Sequence, residues 1–482
     1  MPSPTLIWFR QDLRLLDNPA LFHAVERGDH IIPVFILDDE TAGNRKMGAA
    51  ARLFLHHALH ALNKDLGGHL QIYRGRADHI IPALMDHYNA QNVHWNRCYE
   101  PWIIARDTRI KDILGDKAKS FNGLLIVEPW QVMNGSGEHY KVFTPFYKAC
   151  QKAGFLDFIP LPRPQSMAYH SQSAPDEALH IDDLALLPNH PWQQSIEKTW
   201  KNRAGFGESA AWMQFEHFIK TGLPHYKDGR DRPDQDYVSY LSPYLQCGAI
   251  SARSIVHHIQ NHAAAHGLEM DGEKFIAEIF WREFSYNLLY HYPNLHDTPL
   301  QARFYDFPWV QDYTDSLKAW KTGRTGYPIV DAAMRQLWQE GWMHNRARMI
   351  VGSFLVKHLR IHWHHGEEWF WDCLTDADPA NNTASWQWIA GCGADAAPYF
   401  RIFNPIIQSQ KFDPNGDYIR KYVPELYNLP NRYLHTPWEA PANLLNQCGI
   451  ILGQHYPHPI VNHEEARQAA LDAFDSLKDL SL

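Results

Sequence analysis

The residues able to do chemistry crowd into positions 325–405. Seven tryptophans recur there with roughly helical spacing, Trp338, Trp342, Trp363, Trp369, Trp371, Trp386 and Trp388, and by themselves they read as a bulky apolar core. Their polar company does not fit such a core. Asn345, Arg346 and Arg348 precede one break in the pattern, and Asp376, Asp378, Asn381 and Asn382 follow another. A buried polar group without a partner costs on the order of a few kcal/mol, so the pattern implies a polar ligand held among helices.

Two kinds of element must position these groups. Over the first 130 residues, short apolar runs at 5–9, 31–37, 70–74, 93–96 and 124–127 read as strands, and the segments 47–66, 78–89 and 101–114 between them read as helices. That alternation predicts a doubly wound parallel sheet. No Gly-x-Gly-x-x-Gly follows the first strand, so no dinucleotide site is assigned to it. Arg10, Asp12, Arg14 and Asp17 after that strand read as structural ion pairs. Residues 131–200 carry Pro160, Pro162, Pro164, Pro175, Pro188 and Pro191, which predict an extended surface linker. From 201 to 482 the periodicity is helical, so the expected class is α/β followed by all-α.

Composition limits the function classes. A chain of 482 residues with 45% hydrophobic and 21% charged residues is expected to form two globular domains. No run of about 20 apolar residues is present to cross a bilayer, and no basic-then-apolar leader opens the chain, so a cytoplasmic location is expected. The six cysteines form no Cys-x-x-Cys pair and are expected as buried free thiols. His362, His364 and His365 cluster, but their flanks read as a solvated helix end, and no metal is expected. A net charge of −9 argues against indiscriminate coating of nucleic acid, whereas Arg230, Arg232, Arg253, Arg282, Arg346, Arg348, Arg401 and Lys411 in the second half could give one local basic face.

Six stretches carry a family resemblance: WFRQDLRLLDNPAL near the start, FWREFSYNLLYHYP in the middle, then TGYPIVDAAMRQL, GWMHNRARM, DADPANNTASWQW and DAAPYFRIFNP. Together they resemble the cryptochrome/photolyase family, and within it the bacterial class I-type enzymes that act on cyclobutane pyrimidine dimers. The resemblance implies an antenna domain at 1–130, a linker at 131–200 and a helical FAD-binding domain at 201–482. It also implies light-driven repair of such dimers in DNA by electron transfer from reduced FAD, performed by a monomer without a protein partner. The alternative is a cryptochrome-type blue-light receptor that repairs nothing.

Residue roles follow from the same resemblance. Tyr226, Val238, Ser239, Tyr240, Leu241 and Ser242 match the flavin's diphosphate side, where Val238 and Tyr240 replace the family's usual Thr and Arg. Asn345, Arg348, Asp376, Ala377, Asp378 and Asn382 match the surroundings of the flavin ring, with Arg348 and Asp376 as an ion pair and Asn382 facing N5. Glu278, Trp281, Asn345, Met349 and Trp388 match the pocket for a flipped-out dimer, and a dry setting is expected for Glu278. Arg230, Arg282, Arg346, Arg401 and Lys411, with Glu278 and Trp281, are expected to touch DNA. Trp386 and Trp363 match the inner members of an electron relay, and Trp309 is its expected outer member in competition with Trp320.

Two regions discriminate among relatives. Six-four photolyases resemble this family but carry histidines where Asn345 and Met349 stand, and signalling cryptochromes commonly carry a long tail beyond the last helix. For the antenna, Tyr99 and Glu100 match a folate-binding stretch, but Trp102 and Ile103 occupy the place of its Asn-Glu pair. Methenyltetrahydrofolate, a deazaflavin, another flavin or no antenna all stay open.

Overall fold

In a computed structural model of the chain, residues 3–396 and 400–479 are described. The stretch 397–399 of the DAAPYFRIFNP motif and the last three residues lie outside them. Two compact units are present. The first comprises Met1–Lys227, Ser239–Pro293 and Thr375–Ala380, and the second Asp228–Val238, Asn294–Leu374 and Asn381–Leu482.

The first unit holds a parallel sheet. Its strands are β1 (Pro4–Phe9), β2 (His30–Leu37), β3 (Gln71–Arg74), β4 (Asn92–Asn96), β5 (Ala118–Phe121) and β6 (Ala168–Tyr169), in the order β3-β2-β1-β4-β5, with β6 pairing β2. Helices α1 (Pro19–Glu26), α2 (Ala49–Asp65), α3 (Ala77–His87) and α4 (Pro101–Leu114) make the crossovers. The central strands are continuous apolar runs because both faces are covered: Leu6, Ile7, Trp8 and Phe9 are all buried. Pro33 sits in a central strand without breaking it. On that edge β6 pairs His30 and Ile31 while β3 pairs only Val34 onward, so the N–H that proline lacks has no ladder partner to serve. Asn18 caps α1 by accepting from Leu21 N, and Pro19 opens the helix where no intrahelical donor is needed.

Three expectations are corrected here. The fifth strand is Ala118–Phe121, not the apolar run 124–127. The amides of Ile126 and Val127 both donate to Glu283 Oε2, so a buried carboxylate takes the place of a neighbouring strand. The segment 131–200 is also more than an extended linker: it contains the helices Phe143–Lys152 and Gln193–Arg203 and strand β6. The six prolines named above lie outside these helices, while Pro145 sits in the first turn of Phe143–Lys152. Finally, Arg10 does pair with Asp107 at 2.6 Å, but Arg14 spends its guanidinium on carbonyls, including Gly248 O at 3.0 Å and Asp17 O at 2.8 Å.

The remaining elements are helices. Those that matter for function are α5 (Glu269–His291) in the first unit, α6 (Asn345–Ser353) and α7 (Trp363–Cys373) in the second, and α8 (Pro379–Ala390), which follows the Asp376–Asp378 segment. All six cysteines are free, five of them buried. No described helix is long and apolar enough to cross a membrane.

Candidate functional site

In the first unit, two carboxylates of the DAD motif are pinned by hydroxyls. Ser242 Oγ donates to Asp376 Oδ2 at 2.5 Å, and the Tyr286 hydroxyl donates to Asp378 Oδ2. Both aspartates are buried. Tyr286 was not singled out from the sequence, although it lies two helical turns after Glu278 on α5 and so on the same side.

Ser239 to Ser242 are held from within the first unit. Gln214 Nε2 donates to Ser239 O at 3.0 Å, and Leu241 N donates to Ser239 Oγ at 3.3 Å. Tyr226 is buried edge-on against Phe218 and Phe275. Tyr240 has a left-handed backbone with φ of 54°, and the Arg203 guanidinium lies 3.3 Å from its ring centroid. A cation thus returns to the position where the family's arginine is replaced, brought from a different helix. A sequence scan tied to position 240 has no signal for it.

Helix α5 presents Trp281 stacked on Phe143, with centroids 3.8 Å apart and rings 9° from parallel. Glu278 does not meet the dry setting expected for it. Its side chain is 26% exposed and it faces Lys274, one turn earlier, at 3.4 Å. Arg282 is corrected too: instead of facing outward for DNA, it donates to Leu124 O and Glu283 and lies 5.0 Å over the Tyr286 ring.

In the second unit, Asn382 lies in the first turn of α8, where its Nδ2 donates to Glu367 O at 3.0 Å. A carbonyl can only be approached by the amide nitrogen, so the orientation of this side chain is fixed and Oδ1 is left to accept. Trp386, one turn on, is 3% exposed and packs on Phe370 at 5.0 Å and Trp320 at 6.2 Å. It fits against α7 because position 366 is glycine: a Cβ there would fall inside the Trp386 ring. Gly366→Ala is expected to cost about 1–3 kcal/mol through overpacking, read as a lower urea midpoint at unchanged slope.

Trp363 is fully buried and stacks with His362 at 5.5 Å, and the half-buried Trp309 meets the other side of the contact, 4.9 Å from His362. Trp320, in contrast, is 0% exposed. The histidine cluster is therefore not a solvated helix end. His362 Nδ1 accepts from His364 N as the cap of α7, His364 Nε2 meets His296 O at 2.7 Å, and burial pushes the His362 ring down to about 4.

Helix α6 begins with the exposed Asn345, continues through the half-buried Arg346, Arg348 and Met349, and is capped by His344. Arg348 Nε donates to Met343 O at 2.8 Å. Arg346 pairs with Asp231 at 2.5 Å and lies over Phe412, while Arg230 lies 3.9 Å from Asp231. Arg401 and Lys411 are exposed. Trp388 is half-buried, donates from Nε1 to Asp395 O at 3.1 Å, and lines a cavity with Ser353, Lys357, Phe400 and Arg401. Lys357 is buried there, donating to Arg401 O beside the Phe400 ring, and burial pushes its ammonium down to about 7 with Arg401 adding to the effect.

The first unit supplies buried, hydroxyl-bonded carboxylates, and the second supplies an oriented amide and tryptophans in ring contact. None of these described residues pairs a nucleophile with a base, which suits a bound redox cofactor. Comparison with known proteins agrees. Residues 5–165 match the family model described as DNA photolyase, and residues 275–476 match the FAD binding domain of DNA photolyase. The deoxyribodipyrimidine photo-lyase of Agrobacterium fabrum is 44% identical, with 99% of this chain and 98% of that protein covered.

The chain belongs to the photolyase/cryptochrome family.

Within that family, Cryptochrome-1 of Arabidopsis thaliana is 35% identical over 99% of this chain and 71% of its own length. The crystal structure of a bacterial class III photolyase from Agrobacterium tumefaciens superposes with a TM-score of 0.93 at 43% identity, covering 99% of this chain and 98% of that one. This corrects the expected class I-type affiliation. Five of the six quoted motifs fall in the FAD-binding half and one near the start of the chain; they mark the family as a whole and do not separate its classes.

Proposed function

We propose that the chain is a light-driven lyase that repairs cyclobutane pyrimidine dimers in DNA. Its cofactor is FAD, which when bound in reduced form supplies the electron that opens the cyclobutane ring. The observation that carries this reading is the locked amide of Asn382. With one N–H of its amide bonded to Glu367 O, the side chain's rotation is set and Oδ1 is presented as an acceptor, which suits the N5–H of a reduced flavin.

The other site residues keep the roles the family match gives them. Tyr226 and Val238–Ser242 would hold the diphosphate, and Arg348, Asp376, Ala377 and Asp378 the ring and ribose. Asp378 accepts from the Tyr286 hydroxyl, which helps to fix the rotation of the carboxylate. Asn345, Met349, Glu278, Trp281 and Trp388 would line the dimer pocket, and Arg230, Arg346, Arg401 and Lys411 would serve the DNA backbone. The relay runs through Trp386 and Trp363 to Trp309. Partial exposure of Trp309 and its ring contact with His362 support it over the fully buried Trp320 as the exit to solvent. In this division of roles, residues 1–130 form the antenna half, 131–200 the connection and 201–482 the flavin half of a cytoplasmic monomer.

Glu100 accepts from Gln11 and from Tyr99 N, while the Tyr99 hydroxyl donates to Glu128. These two residues are committed inside the protein, so a methenyltetrahydrofolate or deazaflavin antenna would be held by others.

Irradiation of the reduced holoprotein with an oligonucleotide carrying one thymine dimer tests the proposal. Recovery of intact thymines is expected, and their absence would favour a receptor. Trp281→Ala should weaken dimer binding by about 1–3 kcal/mol, the scale of one base stacked on an aromatic ring, measured as Kd at fixed salt. Arg203→Ala should lower FAD retention on dialysis without changing the absorption of the flavin that remains.

A further inference from the structure

We propose that His56, His60 and Asp182 form a binding site for a divalent transition-metal cation of the zinc class. His56 and His60 stand four residues apart on α2, so both rings leave the same face of the helix, and their centroids are 4.7 Å apart. Asp182 approaches that face from the short 3₁₀ turn Ile181–Leu184. Among the described residues, this is the one group of three or more His, Cys, Asp or Glu whose ligand atoms all lie within 4.8 Å of one another.

The spacing fits an ion better than it fits hydrogen bonds alone. Zinc holds imidazole nitrogen and carboxylate oxygen at about 2.0–2.2 Å, which in a tetrahedron separates neighbouring donors by roughly 3.3–3.6 Å. His60 Nε2 is 3.2 Å from Asp182 Oδ1, and His56 Nε2 is 3.7 Å from the same oxygen. The first distance is also a good hydrogen bond, but the second is too long for one. An ion seated between the three donors would bridge it.

Chemistry and access agree with that choice. Two imidazoles and one carboxylate suit zinc, copper or nickel, whereas magnesium and calcium prefer all-oxygen shells. His56 is 7% exposed and fixed by its helix, while His60 and Asp182 are exposed and leave a way in and a fourth position for water. Bound metal would clip the 181–184 turn onto α2.

The pair His56-x-x-x-His60 is readable in the sequence but was not singled out there, because the third ligand lies 122 residues away from His60. Of the histidines that stood out in the sequence, His362 caps a helix, His364 meets a backbone carbonyl and His365 lies against the Tyr313 ring.

The test uses the full-length flavoprotein after chelator treatment, titrated with zinc chloride by calorimetry and checked by metal analysis after dialysis. One more zinc per chain is expected for wild type than for His60→Ala. His60→Ala and Asp182→Asn should each weaken that site by at least about tenfold, the lower end of what losing even a residue behind a ligand costs. Zinc should raise the Tm of wild type and leave that of His60→Ala unchanged. His60 is on the surface and outside the repair machinery, so His60→Ala should repair dimers normally. Equal zinc uptake by wild type and His60→Ala, or no uptake by wild type, would overturn the proposal.

Discussion

Trp386→Phe is expected to slow light-driven reduction of the oxidised flavoprotein by more than an order of magnitude while leaving repair by the chemically reduced protein near the wild-type rate. Trp386 is buried at the point where α7 and α8 meet, wedged into the space that Gly366 leaves. A phenyl ring retains most of the packing against Phe370, so the fold should survive. What it removes is the indole, which loses an electron far more readily than benzene does. Repair of a bound dimer does not draw on the relay, so the two activities separate. Absorbance at the flavin band under blue light with an external reductant reads the first, and thymine recovery reads the second. Ordinary photoreduction in Trp386→Phe would remove this residue from the relay. Trp309→Phe should give a smaller slowing, because in the proposed relay the inner tryptophans would still oxidise and only the last transfer to the surface would be lost.

The second large effect concerns stability. Glu283→Ala should destabilise the chain by about 3–5 kcal/mol, the usual cost of breaking a buried charge network from one side. Its carboxylate accepts from Ile126 N at 2.8 Å, Val127 N at 3.0 Å and Arg282 at 3.1 Å, and all but 1% of the residue is buried. Alanine would leave two backbone donors and one guanidinium without it. Burial pushes the Glu283 carboxyl up to about 7, against the opposing pull of Arg282 and the two amides. The folded chain therefore keeps a proton there, between pH 4.5 and about 7, that the unfolded chain has released. The contribution of this group is full in acid below that range and is lost as pH rises through 7, a change of about 3 kcal/mol. Glu283→Gln cannot titrate, so urea denaturation of wild type and variant on either side of this window should show the slope in the wild type alone.

Much of the architecture was legible in the chain. Apolar runs alternating with helical segments announced the parallel sheet, and Pro101–Leu114 begins and ends where the sequence predicted because Pro101 and Gly115 mark both ends. The run at 124–127 misled because apolarity reports burial and does not say who accepts the backbone amides. Ala118–Phe121 was missed because an edge strand of mixed polarity carries little periodic signal.

The sequence by itself determined the family, the FAD-binding half and the residue types available to it, since six long motifs and the tryptophan-amide-carboxylate pattern are properties of order along the chain. Only the tertiary structure decided which way those groups face. It locked Asn382 as an acceptor, turned Arg282 inward, brought Arg203 onto Tyr240 and set Asp182 beside His56 and His60. Each of these depends on a partner distant in sequence or on a backbone carbonyl, and neither leaves a mark at the residue it orients.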